Sequence, residues 1–351
     1  MTALRATTPD TGRLHHLWLL VLLVWPWVQP FSSSPLPHVW PWLSSWICLA
    51  LALLTWQRMS LATVVQGWVL AALLSSAMGL VQFFGQAELL APFLHVPAYL
   101  GDAMGNLRQR NQLATLLAMG VLAVLVWRAL GLTIVHSLWM LALLAIGMAA
   151  TASRTGLLQL VFIGLWMLLH RAAPKGREAL LLTALTLGFY ALASWLLPQL
   201  LQQLSGQATD SAMARMGALG GCGSRQALWA NVLHLVAQHP LGGWGWDQLR
   251  YAHYITEYPS LRFCDMLGNA HNLPLHIAFV WGVPVAVLVC LGVMVWVVRA
   301  RPWQHKGPGQ QLAWGVLGVL ALHSLLEYPL WYGPFQVALL LSLWLLRGRI
   351  W

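Results

Sequence analysis

Long apolar runs separated by short polar stretches make up most of the chain. The runs lie at residues 14–28, 38–56, 61–84, 112–130, 132–150, 155–170, 179–200, 273–298, 311–328 and 333–346. A membrane-spanning helix needs about 20 mostly apolar residues, so the pattern predicts about ten transmembrane helices, some of them short. The polar break Ser153-Arg154-Thr155-Gly156 separates two runs that otherwise look continuous.

Two polar segments are too long to be simple turns. They are residues 85–111 and residues 201–272, and the second is long enough to fold over a membrane face. The pattern therefore predicts three parts. Residues 1–200 form transmembrane helices 1–7 with the outer loop 85–111, residues 201–272 form a large outer loop, and residues 273–351 form helices 8–10.

The large loop has the pattern of one amphipathic helix. Ser224 is suited to cap its start, and Pro240 with the glycines that follow would end it. Four apolar residues share one face of this helix: Leu228, Val232, Leu235 and Val236. This pattern predicts a helix lying along the membrane surface.

Composition agrees with an all-α integral membrane protein. Hydrophobic residues make up 59% of the chain and charged residues 8%, and the 22 tryptophans suit aromatic belts at the two membrane surfaces. The sequence therefore predicts a multispanning helical bundle that contacts membrane lipids.

The net charge of +10 predicts an orientation for this bundle. With the N-terminus inside, the inner segments hold twelve of the 19 basic residues and two acids, whereas the outer segments hold seven of each. Because basic residues are retained on the cytoplasmic side, the excess charge is a topology signal. It is not evidence for nucleic acid, and no nucleic-acid partner is expected.

The four cysteines show no metal-ligand spacing. Cys222 and Cys264 both lie in the large outer loop, where the compartment is oxidising if the host is a bacterium with two membranes. We predict that these two cysteines form a disulfide. The alternative is two free, partly buried thiols.

Several short polar motifs occur in a fixed order. They are Asn106-Leu107-Arg108-Gln109-Arg110-Asn111-Gln112, Thr151-Ala152-Ser153-Arg154-Thr155-Gly156, Ser224-Arg225 followed by His239-Pro240-Leu241-Gly242, Ala270-His271-Asn272, and His323-Ser324-Leu325-Leu326-Glu327-Tyr328-Pro329-Leu330-Trp331. Together they resemble the bacterial O-antigen ligase and O-oligosaccharyltransferase superfamily, over roughly residues 100–335. The last motif and Gln109-Arg110-Asn111 are similar to the branch that glycosylates proteins such as pilins.

This resemblance implies a GT-C-like glycosyltransferase in the bacterial inner membrane, with its site facing the periplasm. The implied reaction moves a glycan from undecaprenyl pyrophosphate to a Ser or Thr hydroxyl of a pilin-like acceptor protein. No cofactor is expected. No metal is expected either, because no two acidic residues are spaced as in Asp-x-Asp.

Three residues are predicted to carry the chemistry. His271 suits a general base for the acceptor hydroxyl, since the ordinary pKa of histidine lies near neutrality. Arg154 and Arg225 are implied by the resemblance to contact the donor phosphates, and guanidinium groups stabilise such charge well. The alternative for His271 is a capping histidine. For Arg154 it is an arginine that reaches to the membrane surface, and for Arg225 it is a solvated helix start.

Further polar residues are predicted to position the substrate. Gln109, Asn111 and Tyr328 match polar positions of the protein-glycosylating branch. Arg108 and Arg110 flank two of them and could add to the phosphate site. The alternative for Gln109 and Asn111 is capping of the next helix.

The motifs near residues 271 and 327 contribute the remaining candidates. Asn272 places a second carboxamide beside Asn269 at the mouth of a membrane helix. His323 and Glu327 are four apart on a predicted helix, so they share a face and could pair with each other. A buried Glu in a membrane span is also a functional-site candidate.

Two other functions stay open at this point. One is an O-antigen ligase or polymerase that uses the same chemistry on a glycolipid. The other is a flippase or exporter of lipid-linked sugar. A transporter should carry ionisable residues near the middle of the membrane, whereas most charges here lie near the ends of spans.

Overall fold

The computed structural model of the protein describes residues 11–32, 39–55, 59–206 and 221–347. Six residues that contributed to the predicted charge distribution lie outside these ranges: Arg5, Asp10, Arg58, Asp210, Arg215 and Arg349. Within the described ranges the regular secondary structure is entirely helical. The predicted all-α fold is thereby confirmed.

Thirteen α-helices occur in the described part of the chain. They are α1 (Thr11–Val28), α2 (Val39–Leu54), α3 (Leu61–Phe83), α4 (Arg110–Ala129), α5 (Ile134–Ala150), α6 (Arg154–Leu169), α7 (Gly176–Ser205), α8 (Arg225–Gln238), α9 (Leu249–Ile255), α10 (Leu273–Trp281), α11 (Val283–Ala300), α12 (Pro308–Ser324) and α13 (Gly333–Leu346). Short 3-10 turns lie at Ala87–Leu90, Gly105–Leu107, Pro302–Gln304 and Pro329–Trp331.

Nine of the ten predicted apolar runs each coincide with one helix, and the run 273–298 corresponds to two. Four helical segments of the described chain are long and apolar enough to cross a membrane, namely Leu61–Phe83, Arg110–Ala129, Gly176–Ser205 and Val283–Gln304. The remaining apolar helices are shorter. The chain is thus a multi-pass helical membrane protein.

Polar caps fix where several helices begin. The capping side chains accept a hydrogen bond from a backbone N–H of the first turn, and they belong to Ser60, Gln109, Thr133, Ser153, Ser224 and Asn272. Replacing such a cap with alanine typically costs about 1 kcal/mol. Ser224 therefore caps its helix as the sequence predicted.

The predicted run 273–298 is not one continuous helix, because it breaks at Gly282. This glycine has φ +88°, and a Cβ there would collide with the backbone at Leu241. The loop that follows α8 takes up the backbone groups at the break. Trp244 N donates to Phe279 O (2.8 Å), and Val283 N donates to Pro240 O (2.7 Å).

The main hydrophobic core surrounds α4. Leu113, Leu116, Leu117 and Met119 of this helix have no exposed surface, and α3, α5, α6 and α12 pack around it. A helix buried on all sides is expected at the centre of a bundle. Its first residues are consequently held in a fixed place at one end of that bundle.

A second, smaller core joins the loop helices to α10. The four apolar residues predicted for one face of α8 are all buried here, together with Phe279 and Val280 of α10. The face that was expected to lie on the membrane surface is therefore covered by protein. This packing attaches α8 directly to the helix that follows His271.

Candidate active site

Five helix ends meet at one side of the bundle. The starts of α4, α6, α8 and α10 contribute Asn111, Ser153, Arg225 and His271, and the connection after α12 contributes Glu327. Because successive helices run in opposite directions, residues distant in sequence arrive at the same face. The arrangement centres on Glu327.

The Glu327 carboxylate is buried and fully engaged. Its side chain is 8% exposed, and Oε1 accepts from Asn111 Nδ2 (2.9 Å) and Arg225 Nη2 (2.5 Å). Oε2 lies 2.5 Å from His271 Nδ1. A buried carboxylate is costly unless it is paired and hydrogen-bonded, and here both conditions are met.

These partners keep Glu327 ionised. Burial raises the pKa of Glu327, but the hydrogen bond from His271 and the charges of His271, Arg225 and His323 together outweigh it. The pKa therefore lies below its ordinary value of 4.5. The residue lies in the connection 325–332, beyond the last residue of α12.

The position of His271 fixes its tautomer. A carboxylate only accepts hydrogen bonds, so Nδ1 carries a proton directed at Oε2, and in the neutral ring the lone pair would lie on Nε2. Within the described part of the chain, Nε2 makes no hydrogen bond. The backbone is left-handed (φ +48°), and its N–H donates to Asn269 Oδ1 (3.0 Å). The Tyr328 ring packs edge-on against the imidazole, with 4.9 Å between ring centroids.

Asn111 connects Glu327 to the start of α6. Its amide nitrogen donates to Glu327, and its oxygen accepts from Ser153 Oγ (2.6 Å). Ser153 was not among the predicted site residues, although the motif that contains it was. The next residue, Arg154, is the first of α6 and is half-buried.

Gln109 and Asn272 act as helix caps, which was the alternative considered for Gln109. Gln109 Oε1 accepts from Gln112 N (2.9 Å), and Asn272 Oδ1 accepts from Leu275 N (2.9 Å). Asn272 Nδ2 also donates to Leu325 O (3.0 Å), which ties α10 to the segment carrying Glu327. Gln109 lines a small cleft with Glu327, Tyr328 and His323.

Arg108 and Arg110 are not brought to Glu327. Arg110 forms an ion pair with Asp102 in the outer loop 85–111. Arg108 has a left-handed backbone (φ +58°), and its Nη2 lies 3.5 Å from Pro30 O. Burial lowers the pKa of Arg108. The Arg110 guanidinium therefore contacts the loop 85–111, and the Arg108 guanidinium contacts the chain just after α1.

His323 and Glu327, for which side-chain pairing was the alternative, have different partners in the structure. His323 Nδ1 lies 2.9 Å from Thr115 Oγ1, and its ring packs edge-on against Phe335. The backbone still links the two residues, since Glu327 N donates to His323 O (2.8 Å), but the Glu327 carboxylate is taken up by Asn111, Arg225 and His271.

The predicted disulfide between Cys222 and Cys264 is confirmed. The two Cα atoms are 5.1 Å apart, and Cys264 N donates to Cys222 O (3.2 Å). Cys222 lies three residues before Arg225, and Cys264 lies seven before His271. The bridge therefore fastens the start of α8 to the segment that leads into the site.

An apolar cleft extends from the site along α11. Its volume is about 590 Å³, and it lies between α6, α10, α11 and α12. Leu273 and Leu325 line it near His271 and Glu327. Trp166, near the end of α6, and Pro302, just after the end of α11, line it at the far end. The outward face of α11 is largely exposed, so one wall of the cleft is a single helix.

Known proteins share parts of this sequence. Residues 139–290 match the family described as O-Antigen ligase. Residues 311–350 match "Virulence factor membrane-bound polymerase, C-terminal", and residues 103–129 match "Protein glycosylation ligase". These matches confirm the resemblance to the ligase and oligosaccharyltransferase superfamily.

One similar protein is a general O-oligosaccharyltransferase from Acinetobacter baylyi. It is 27% identical over 277 residues, which cover 75% of this chain and 46% of the relative. The chain thus spans about half the length of the relative that it matches.

Proposed function

We propose that this chain is an O-oligosaccharyltransferase of the bacterial inner membrane. It moves a glycan from undecaprenyl pyrophosphate to a Ser or Thr hydroxyl of a periplasmic protein such as a pilin. The observation that carries this proposal is the His271–Glu327 pair, with Nδ1 and Oε2 2.5 Å apart where several helix ends meet. The similarity to a general O-oligosaccharyltransferase supports the type of reaction.

In this proposal His271 is the general base. Its Nε2 takes the proton of the acceptor hydroxyl while the hydroxyl oxygen attacks the anomeric carbon of the glycan. The bond from that carbon to the pyrophosphate oxygen breaks, and its electron pair leaves with the pyrophosphate. Glu327 holds the ring by Nδ1 and stabilises the imidazolium as it forms, as the acidic member of a catalytic triad does.

Arg225 and Arg154 are the proposed contacts for the departing pyrophosphate. Arg225 uses Nη2 for Glu327, and a guanidinium has five N–H donors in all. Arg154 lies in the first turn of α6, where backbone N–H groups and the helix dipole also favour an anion. Charge that develops on the leaving group would be stabilised by donors already in place.

The apolar cleft is the proposed place for the polyprenyl chain. A volume of about 590 Å³ is within the range of roughly 300–1,000 Å³ common for ligand sites. The outer end of the cleft adjoins residues next to His271 and Glu327. A lipid carrier lying there would present its pyrophosphate to the site from the membrane.

A second candidate acceptor is a glycolipid. The matches to O-Antigen ligase over residues 139–290 and to a membrane-bound polymerase over residues 311–350 favour it. The base, the arginines and the donor would be the same. Only the molecule that supplies the hydroxyl would differ.

The test is a transfer assay with purified protein, an undecaprenyl-pyrophosphate glycan, a candidate pilin and EDTA, followed by intact mass. We expect the pilin to gain the glycan mass with wild type and not with His271→Ala. The control His136→Ala removes an exposed histidine at the start of α5 and should transfer normally.

Two results would change the proposal. Transfer onto lipid A core or a growing glycan, with none onto protein, would identify the ligase or polymerase reaction. Full activity of His271→Ala, with comparable expression and membrane insertion, would remove the assigned base.

A further inference from the structure

A third arginine, Arg250, lies beside the site. It belongs to the short helix α9 and is exposed. A Cβ placed on Gly268 would lie 3.3 Å from both Nε and Nη2 of Arg250. Gly268 precedes His271 by three residues. The guanidinium of Arg250 therefore lies against the backbone that leads directly to the proposed base.

The other arginines of this region are already engaged. Arg225 pairs with Glu327, and Arg110 pairs with Asp102. Arg262 donates to the backbone oxygens of Thr256 and His253. Among the residues that the structure describes, no carboxylate lies within ion-pair distance of Arg250. Its positive charge is therefore available to an anion.

The charge of Arg250 also reaches the aromatic ring that contacts His271. Burial raises the pKa of the Tyr328 phenol, and the positive charge of Arg250 acts in the opposite direction. Tyr328 packs edge-on against His271. Arg250 thus faces the same small space as the base.

We propose that Arg250 binds the pyrophosphate of the polyprenyl-linked donor. This inference rests on the proposed function and adds a binding residue to it. A guanidinium presents paired N–H groups that match the oxygens of a phosphate. Gly268 leaves room for this group, because a Cβ there would lie 3.3 Å from Nε and Nη2 and would crowd the guanidinium.

In this proposal Arg225 and Arg250 have different roles. Arg225 is tied to Glu327, so moving it would disturb the base. Arg250 has no such tie and can follow the phosphate without affecting His271. We therefore expect Arg250 to determine donor affinity more than turnover.

The first experiment measures binding alone. Undecaprenyl pyrophosphate without a glycan is titrated into purified protein in nanodiscs of a zwitterionic lipid. Arg250→Ala should bind it about tenfold more weakly than wild type, the loss expected for a hydrogen bond to a charged group. Arg250→Lys should recover part of the affinity, because it keeps the charge but not the paired geometry.

Arg171→Ala is the matched control. Arg171 is an exposed arginine just beyond the far end of α6, about 24 Å from the start of that helix at 1.5 Å per residue. It should bind the ligand as wild type does. Equal affinity of wild type and Arg250→Ala would overturn the proposal.

Gly268→Val provides a second route to the same group. The larger side chain should displace the guanidinium and weaken binding without altering Arg250 itself. If both changes act through one contact, the double variant should bind no more weakly than Arg250→Ala. Fully additive losses would contradict the shared contact.

A parallel titration with phosphatidylglycerol separates the donor from ordinary membrane lipid. If only phosphatidylglycerol binding depended on Arg250, the residue would be a headgroup anchor and the pyrophosphate role would be wrong.

The transfer assay is read independently of the binding measurements. Binding that depends on Arg250 in a protein without transferase activity would refute the proposed function and keep the anion site. Normal transfer with unaltered donor affinity in Arg250→Ala would refute the anion site at Arg250 and keep the proposed function.

Discussion

Glu327 determines how the other side chains of the site are oriented. Its two oxygens hold an amide, a guanidinium and an imidazole that come from three different helix starts. An ionised carboxylate below the protein surface needs such partners, and each partner in turn loses freedom by binding it. The direction in which His271 presents Nε2 is therefore a consequence of Glu327.

Replacing Glu327 by glutamine should reduce turnover strongly. The amide keeps the size of the side chain but loses the charge that stabilises an imidazolium, and its N–H₂ can face Nδ1 and favour the other tautomer. We expect the turnover number to fall by roughly 10²-fold or more. Steady-state transfer kinetics with a saturating donor would measure this change.

Glu178→Gln is the control for that substitution. Glu178 pairs with Arg128 at the opposite ends of the helices, with Nε and Oε1 2.8 Å apart. Breaking this pair should leave transfer unchanged. If the Glu327 variant also kept its turnover within about twofold of wild type, the orienting role would be untenable.

The sequence identified most of these residues but not how they combine. His271, Arg225 and Asn111 were singled out from motifs, and the structure brings all three to Glu327. Pairing of Glu327 with His323 was one alternative, because spacing along a helix is visible in a sequence. The hydrogen bond from Ser153 to Asn111 joins residues 42 apart, and no local pattern predicts such a contact.

At the scale of elements, polar caps place residues of the candidate site at helix starts. Gln109, Ser153, Ser224 and Asn272 each cap a helix whose first or preceding residues belong to the candidate site. The exposed N–H groups of these first turns carry partial positive charge. Four of them directed towards one region would favour a pyrophosphate there.

Helix positions followed from the sequence more reliably than helix partners. Hydrophobic periods and capping residues are local, and they gave the ten apolar runs. The break at Gly282 was missed because it depends on the backbone of residues 240–245, about forty positions earlier in the chain. The buried face of α8 was assigned to the membrane for a similar reason. An apolar stripe is the same whether lipid or α10 covers it.

The disulfide is expected to keep Arg225 in place. Its two cysteines are 42 residues apart, and a closed loop of that length stabilises a fold by about 4 kcal/mol in the chain-entropy account. The paired change Cys222→Ser with Cys264→Ser should loosen the start of α8 and lower transfer. A comparison of wild type, the paired variant and reduced wild type by kinetics and by proteolysis of the loop would measure this.

A suitable control is Cys290→Ser. Cys290 is a free, exposed cysteine on α11 that lines the cleft, so this control is read by loop cleavage and by the response to reductant, and its change should alter neither. Wild-type kinetics in the paired serine variant, together with an unchanged rate of loop cleavage, would show that the bridge does not position Arg225.

At the scale of the whole molecule, the site and the cleft form one continuous path. The proposed catalytic groups lie where four helices start and α12 ends, and the cleft extends from there between α11 and the bundle. The protein thus has a polar region joined to an apolar one, and an amphiphilic donor likewise has a charged head and an apolar tail. The architecture therefore fits a substrate that stays in the membrane while its head reacts at the surface.

Filling the cleft should discriminate between donors by the length of their lipid. Ala321 of α12 is a small residue in the wall of the cleft, and Ala321→Trp would occupy part of its volume. Each buried CH₂ contributes about 0.8 kcal/mol, so a long chain excluded from the cleft loses more affinity than a short one. We expect KM for an undecaprenyl-linked donor to rise by about tenfold or more, and KM for a farnesyl-linked donor to change much less.

Leu181→Trp is the matched control for this length dependence, since it adds the same side chain to an exposed position of α7 outside the cleft. It should leave both KM values unchanged. If Ala321→Trp raised the two values equally, the added ring would be disturbing the site rather than competing with a lipid. The polyprenyl chain would then have to approach from another face of the bundle. A rise in KM for the longer donor alone cannot be explained by a disturbed site, because the head groups and the reacting residues are the same in both reactions.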